Sequence, residues 1–416
     1  MAELPPAYDM DVEDEGLNSS PSFLYLESIG LTGKAGALQI LTKIQPQCKF
    51  LFLWNNNLGS IGVEYLFEGL ERIRASHARD HNPFGLNTVR IGKNNLRDEG
   101  VFEVLGYAVN DTSLETLNID ENGAELADAV GFVELLNATT ISSMRLDRNP
   151  LRTKSVITLF EGILSKVTSL GLVGCRIQPQ CVPSIVAYFE SPRSWRLRSL
   201  TIMNNSMGRE GIAAILAAIE RTNFSLEEIW PPFYGSGEVS PEEEARVERE
   251  RVDNHKADKA ADRSIKRIRV RNQGLAARVR MAAARVIAPA RIVLHAIAAR
   301  SDEMSDSPST GEAGTFRLLD LPRELQLDIV RHCSRDGTAF SQAQWLRILA
   351  HAEDRGSITR MASKLREMTI QCERDLENNN GMDSDDSNRF YNEPLMETLY
   401  FWREQVGCVM WERDLP

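Results

Sequence analysis

CKFLFLWNNNL, Cys48 to Leu58, carries a skeleton of Leu51, Leu53, Asn56 and Leu58 that returns down the first half of the chain. Leucines two apart, with other residues between them, are the pattern of a strand buried on one face. The asparagine three residues further on has an amide that both donates and accepts, so it can satisfy main-chain groups where the strand ends and the chain turns. The same template reads Leu24, Leu26 with Ile29; Val89, Ile91 with Asn94; Leu117, Ile119 with Asn122; Met144, Leu146 with Asn149; Leu170, Leu172 with Cys175; and Leu200, Ile202 with Asn205. Successive turn positions lie 27, 38, 28, 27, 26 and 30 residues apart, which leaves room for a helix after every strand. That helix is visible in Leu58, Gly62, Leu66, Leu70, again in Leu96, Gly100, Val104, and again in Met207, Gly211, Ile215, Ile219, each at the spacing of one buried helical face.

Seven such units resemble the ribonuclease-inhibitor type of leucine-rich repeat over about residues 21–235. The resemblance implies an α/β horseshoe, with a parallel sheet on its concave side and helices outside, and it implies protein binding in general terms. It selects no partner, because one fold hosts many functions. The expected organisation is an acidic disordered tail over 1–20, the repeat array over 21–235, a charged and then basic amphipathic helical segment over 236–300, a polar linker over 301–315, and a small, mainly α-helical domain over 316–416.

Side chains alternate along a strand, so residues between the buried leucines face the concave surface. Those positions hold Tyr25 and Glu27, Phe52 and Trp54, Arg90, Asn118 and Asp120, Arg145 and Asp147, Gly171 and Val173, and Thr201 and Met203. Exposed aromatic residues are what interaction hot spots are made of. Tyr25, Phe52 and Trp54 are therefore the expected partner anchors, with Arg90, Asp120, Arg145 and Asp147 as charged neighbours; the competing expectation is that the N-terminal tail folds over the aromatics as a cap. The long second interval holds RASHARDHNPFG, Arg74 to Gly85, expected to bulge from the rim after the second coil's helix. Its His77 and His81 stand four apart but lack the glutamate of a metalloprotease motif and any evident third ligand, so no metal is expected. Cys175 occupies a turn position as a ladder residue, and GLTGKAG at 30–36 lacks the spacing of a phosphate loop.

The net charge of −11 disfavours nucleic-acid binding by the surface as a whole. Six scattered cysteines form no CxxC or zinc-spaced pair and read as free thiols. The acidic N-terminus is no signal peptide, and no apolar run reaches the length of a bilayer span, so a soluble protein of the cytoplasm or nucleus is expected.

Beyond the array, Leu226 and Ile229 begin an eighth strand that Pro231 and Pro232 cut short, with Trp230, Phe233 and Tyr234 as expected capping residues. From Arg263 to Arg300 there are ten Lys or Arg and no acid. On a helix, Ile265, Ile268, Leu275, Val279, Val286, Val293 and Ile297 form one stripe, bordered by Arg267, Arg271, Arg278 and Arg285 on one side and by Arg269, Arg280 and Arg291 on the other. Such a helix can cover the open end of the horseshoe and pack on the C-terminal domain, or dock on anionic lipid, nucleic acid or an acidic protein surface.

Further on, Leu321, Pro322, Glu324, Leu325, Leu327 and Ile329 resemble the opening of an F-box, which implies docking on a Skp-type subunit of a cullin ubiquitin ligase. The later part of that motif is missing here. An ordinary helical domain built on Leu325, Ile329, Trp345, Leu346, Ile348 and Leu349, completed by Phe401, Trp402 and Trp411, is the alternative. No nucleophile, base and orienting carboxylate can be grouped, so neither catalysis nor a cofactor is expected. The functional expectation is a non-enzymatic interaction scaffold, in its most concrete form a substrate receptor of a ubiquitin ligase. Regulation of a small GTPase is the alternative, because Ran GTPase-activating proteins have similar repeats, although those carry an acidic segment where this chain is basic.

Overall fold

The computed structural model describes residues 21–78, 83–163, 166–229, 244–303, 321–336, 338–354, 356–357 and 363; for 244–258 and 296–303 only the backbone is described. The tail at 1–20, His81, Trp230, Phe233, Tyr234, the linker from 304 and the aromatic segment around Phe401, Trp402 and Trp411 lie outside these residues. The chain forms two compact units, Met1–Arg269 and Val270–Pro416.

The first unit is the leucine-rich repeat array. Strands β1 (Phe23–Tyr25), β2 (Phe50–Phe52), β3 (Thr88–Arg90), β4 (Thr116–Asn118), β5 (Ser143–Arg145), β6 (Ser169–Gly171), β7 (Ser199–Thr201) and β8 (Glu228–Ile229) alternate with helices α1 (Gly33–Lys43), α2 (Gly59–Ser76), α3 (Arg97–Asn110), α4 (Ala129–Ala138), α5 (Thr153–Gly162), α6 (Val182–Glu190) and α7 (Gly208–Thr222). All eight strands are parallel and pair in sequence order, each only with its neighbours, in one open sheet. The strands are very short because each coil only passes through the sheet before turning. Leu51, Val89, Leu117, Met144, Leu170 and Leu200 stand directly opposite one another and are buried with the helix-face residues Leu66, Leu70, Val104, Ile215 and Ile219.

The asparagines form the expected ladder. Asn122, in the middle of the array, donates from its amide to the carbonyls of Ile91 (3.0 Å) and Ile119 (2.9 Å) and accepts from the backbone N–H of Asn94 (2.9 Å). Asn149 repeats the arrangement one coil on, donating to Ile119 (3.0 Å) and accepting from the N–H of Asn122 (2.9 Å). Each buried amide thus ties its own turn to the coil before it, which satisfies groups that water cannot reach. Cys175 keeps one leg of the ladder, its Sγ donating to Leu146 O at 3.1 Å, and burial pushes its thiol well above the ordinary range. Just before each ladder position the backbone turns through the left-handed region, at Ser28, Asn55, Lys93, Glu121, Arg148, Gly174 and Asn204. The N–H groups there still reach the next coil, as in Lys93 to Asp120 O (2.8 Å) and Glu121 to Asp147 O (2.9 Å).

The long interval has a plain cause. α2 runs for 18 residues and takes in Arg74 to Ser76, and Phe84 returns into the core at 3% exposure. Much of the extra sequence is therefore a lengthened helix and a packed return, not a bulge over its whole length; 79–82 lie outside the described residues.

The last described strand of the array is the two-residue β8; Pro231 and Pro232 lie outside the described residues. A 60-residue helix, α8 (Glu244–Glu303), follows and continues through Pro289. Its Ile265 and Ile268 are buried in the same core as Leu200, Ile212, Ile215 and Ile229, so within the first unit this helix covers apolar surface of the last coils. Arg267 beside them pairs with Glu220 of α7 at 2.9 Å.

In the second unit Val279, Val286 and Val293 of α8 pack with Val330 of α9 (Arg323–His332) and with Trp345, Ile348 and Leu349 of α10 (Gln342–Glu353). α10 starts on a reciprocal cap: Ser341 accepts from Gln344 N (3.0 Å) while the Gln344 side chain accepts from Ser341 N (3.1 Å). The expected core of this region needs correction. Leu325, Ile329 and Leu346 are exposed, and α9 buries Gln326 and Val330 instead. Pro322 sits one position before the helix, where its carbonyl accepts from Leu325 N and Gln326 N, and Gln326 Nε2 donates back to Leu321 O at 2.6 Å. With Gln326 held inward, Leu325 and Ile329 turn outward. Among the described residues no helix is long and apolar enough to cross a membrane.

Candidate functional site

Three rows of side chains cross the open face of the sheet, and the register lines them up. The first row is Phe23, Phe50, Thr88, Thr116, Ser143, Ser169 and Ser199; the second is Tyr25, Phe52, Arg90, Asn118, Arg145, Gly171 and Thr201. The third, two residues further along each chain, is Glu27, Trp54, Gly92, Asp120, Asp147, Val173 and Met203. Hydrogen bonds between coils carry the pairing into it, such as Ser28 N to Trp54 O (2.9 Å) and Asn55 N to Gly92 O (3.1 Å).

At the N-terminal end these rows build an aromatic platform. Phe23 and Phe50 stack with centroids 4.3 Å apart and planes 10° from parallel. Phe52 meets Tyr25 edge-on at 6.1 Å and Phe23 at 6.3 Å. The guanidinium of Arg90 lies over the Phe52 ring at 4.8 Å, a cation–π contact that sets a positive charge at the border of the platform. Trp54 extends it toward the third coil, because Gly92 has no side chain: a Cβ there would stand 2.1 Å from Trp54 Cζ3. Tyr25, Phe52 and Trp54 are thus brought together, and Tyr25 Oη donates to Glu27 at 2.9 Å. Phe23 and Phe50 were not among the expected anchors. The signal for them was the same alternation, carried two residues toward the N-terminus.

The middle of the face is polar and differently built. Asp120 and Asp147 are only 3% and 5% exposed, so the expectation that both present themselves to a partner is corrected. Each carboxylate holds the following coil: Asp120 Oδ1 accepts from Asp147 N (2.8 Å), and Asp147 Oδ1 accepts from Val173 N (2.7 Å). Asn118 acts within its own coil, accepting from Asp120 N at 3.0 Å. The acids form a second ladder beside the asparagines. Arg145 lies across both, 2.7 Å from Asp147 Oδ2 and 3.4 Å from Asp120 Oδ2. Gly171 leaves it room, since a Cβ there would meet Asp147 Oδ1 at 2.9 Å and Arg145 Cγ at 3.0 Å. Burial, reinforced by the charge of Asp147 and opposed by Arg145, pushes the Asp120 carboxyl up to about 7. The surface offered here is mainly the outer edge of Arg145.

The other expected site residues lie elsewhere. Arg271 bonds the side chain of its neighbour Asn272, Arg278 pairs with Asp336 at 2.7 Å, and Arg285 reaches Ser334 O at 3.5 Å. With Arg267 on Glu220, all four arginines have acceptors within the chain. Of the F-box-like residues, Leu325 and Ile329 stand one turn apart on α9, 50% and 41% exposed, with Pro322 and Glu324 also exposed and Leu321 half-buried. Among the described residues no group of His, Cys, Asp and Glu is arranged to hold a metal ion, and the described cysteines, Cys48, Cys175, Cys181 and Cys333, are free.

No family model matches the chain. Residues totalling half of it are similar to a ribonuclease inhibitor of Sus scrofa, at 24% identity over 235 residues. The match spans about half the length of that curated relative as well. Repeated strand, asparagine ladder, helix and distant sequence likeness agree on the architecture: this chain carries a ribonuclease-inhibitor-like leucine-rich repeat array.

Proposed function

We propose that the protein is a binding scaffold that holds a protein partner against the open face of its sheet. The aromatic platform of Phe23, Tyr25, Phe50, Phe52 and Trp54, with Arg90 at its border, is the observation that carries this reading. Five rings placed together with a cation beside them match the composition of interaction hot spots. The likeness to a protein named for inhibiting a ribonuclease supports the same class of function, recognition of another protein. The partner meets an apolar anchor site at the first two coils and the charged edge of Arg90 and Arg145 beyond them.

The test compares tagged wild-type chain with Trp54→Ala and with Arg90→Glu, quantifying co-purifying proteins by mass spectrometry and checking each variant by thermal unfolding. Partners retained by wild type are expected to be lost from both variants while the unfolding midpoint stays unchanged. Retention of every partner by folded Trp54→Ala and Arg90→Glu chains would rule the platform out.

A more specific role is that of substrate receptor in a cullin-type ubiquitin ligase. It is favoured by Leu325 and Ile329, which stand exposed on one face of α9 where an F-box-like helix would meet a Skp-type subunit. In the same purification, a Leu325→Asp/Ile329→Asp chain should lose cullin and Skp-type subunits that wild type recovers. If wild type recovers neither, the receptor role is excluded and the scaffold reading stands.

A further inference from the structure

The third coil carries cations that the array leaves unmatched. Arg90, Lys93 and Arg97 are all exposed, and among the described residues none of them is ion-paired. Acids nearby are committed elsewhere: Glu121 to Arg148 at 2.6 Å, Asp120 and Asp147 to Arg145, and Asp98 to the N–H groups of Glu125, Leu126 and Ala127. Arg97 is also held at a cost. Its N–H donates to Asn122 O (3.0 Å) as that of Gly33 does to Asn57 O (3.2 Å) and that of Gly59 to Asn94 O (2.9 Å), so the three residues occupy one position of the repeat. The backbone there is left-handed, with φ 56° at Arg97, a conformation that glycine takes freely and arginine does not. As the first residue of α3, Arg97 further sets its charge against the positive end of that helix. Three unmatched cations beside an aromatic platform call for an occupant that carries both carboxylates and apolar side chains.

Such a segment is joined directly to the platform. Residues 1–20 hold six carboxylates and no Lys or Arg, and they run into Phe23, the first of its rings. Tyr8, Met10 and Val12 alternate there with Asp9, Asp11 and Glu13, and Asp14 and Glu15 follow. A segment that mixes apolar and acidic side chains at every step suits a face on which the Arg90 guanidinium lies over the Phe52 ring. Reach is not limiting, because residues 16–21 span about 20 Å when extended, whereas two strand spacings, roughly 10 Å, separate β1 from β3. Attachment to the same chain gives the segment an effective concentration of about a millimolar, enough for individually weak surface contacts to hold together. We propose that residues 8–15 fold back over the aromatic platform, their apolar side chains on Phe52 and Trp54 and their carboxylates on Arg90, Lys93 and Arg97. This deepens the binding-scaffold reading and rests on it: the segment takes in cis the surface that a partner takes in trans.

Carbodiimide coupling of the full chain tests the contact, since it joins a carboxylate to a lysine only where the two touch. Peptide mass spectrometry of the monomeric fraction should find residues 9–15 linked to Lys93, with the yield lowered by salt and cut about tenfold in Arg90→Glu/Arg97→Glu, which keeps Lys93. Both arginines are exposed, so an unchanged unfolding midpoint certifies that variant; Trp54→Ala, which removes the apolar half of the contact, should lower the yield as well. Absence of the Lys93 link from wild type, or a yield indifferent to both variants, would overturn the proposal. Links formed only between two chains, at dimer mass, would overturn it in favour of a second copy. Loss of co-purifying partners from Trp54→Ala without any Lys93 link in wild type would leave the platform to partners alone. The link in wild type together with partners unaffected by Trp54→Ala would keep the contact in cis and remove the scaffold reading.

Discussion

Asn122 and Cys175 occupy equivalent turns but support them unequally. Replacing Asn122 with Ala would orphan the buried N–H of Asn94 and take one donor each from the carbonyls of Ile91 and Ile119, which keep the amides of Asn94 and Asn149. The expected loss is about 3 kcal/mol or more, measured by denaturant unfolding, because unsatisfied buried groups cost their full desolvation. Cys175→Ala removes one weak donor to Leu146 O and a small side chain, and about 1 kcal/mol is expected. Asp120 adds a pH dependence. Its carboxyl is raised from 3.8 to about 7 in the folded chain, so its favourable contribution is fully present below about pH 4 and is lost as pH rises through 7. Between pH 5 and pH 8 the wild-type array should lose roughly 2 kcal/mol of stability from this group, allowing for screening near half-exposed Arg145, and Asp120→Asn should flatten that slope. At Gly92 the test is steric. Gly92→Ala would press on the Trp54 ring and is expected to shift tryptophan fluorescence, cost about 1–3 kcal/mol and weaken any partner held at the platform.

At the scale of the element, α9 separates packing from presentation. Its buried residues are Gln326 and Val330; its apolar residues Leu325 and Ile329 face outward. Leu325→Asp should change stability by no more than about 0.5 kcal/mol. Val330→Asp puts a carboxylate at a site 1% exposed and should unfold the helical unit, seen as loss of its cooperative thermal transition. Leu325, the third residue of α9, faces outward, while Gln326 beside it takes the inward position and its amide donates to Leu321 O. This arrangement retains stability while leaving an apolar pair available for contact.

For the whole molecule, the open sheet makes end protection the governing problem. Each coil is buried by its neighbours, so the last coils need cover from outside the repeat. Ile265 and Ile268 of α8 supply it, with Arg267 anchored on Glu220. Ile268→Asp should expose the final coils, lowering array stability by about 3 kcal/mol or more and raising hydrogen exchange first in α7 and β7.

The repeat period, the alternation of leucines and the asparagine positions determined the array, because every coil repeats a local rule and buries itself only against its sequence neighbours. The facing rows were legible for the same reason, including the platform of Tyr25, Phe52 and Trp54. What only the tertiary structure decided is where one coil's side chains meet the next coil's backbone or a helix from outside the repeat. Asp120 and Asp147 alternate as surface residues should, yet they are bound to main-chain N–H groups of the following coil, a pairing that a single strand's pattern cannot encode. The arginines of α8 read as a free basic face, but Glu220, Asp336 and Ser334 stand 47, 58 and 49 residues from their partners along the chain. Local periodicity fixes a face; which face is covered depends on distant residues, and CKFLFLWNNNL contains the framework of its coil without naming the glycine at 92 that lets its tryptophan lie across the next one.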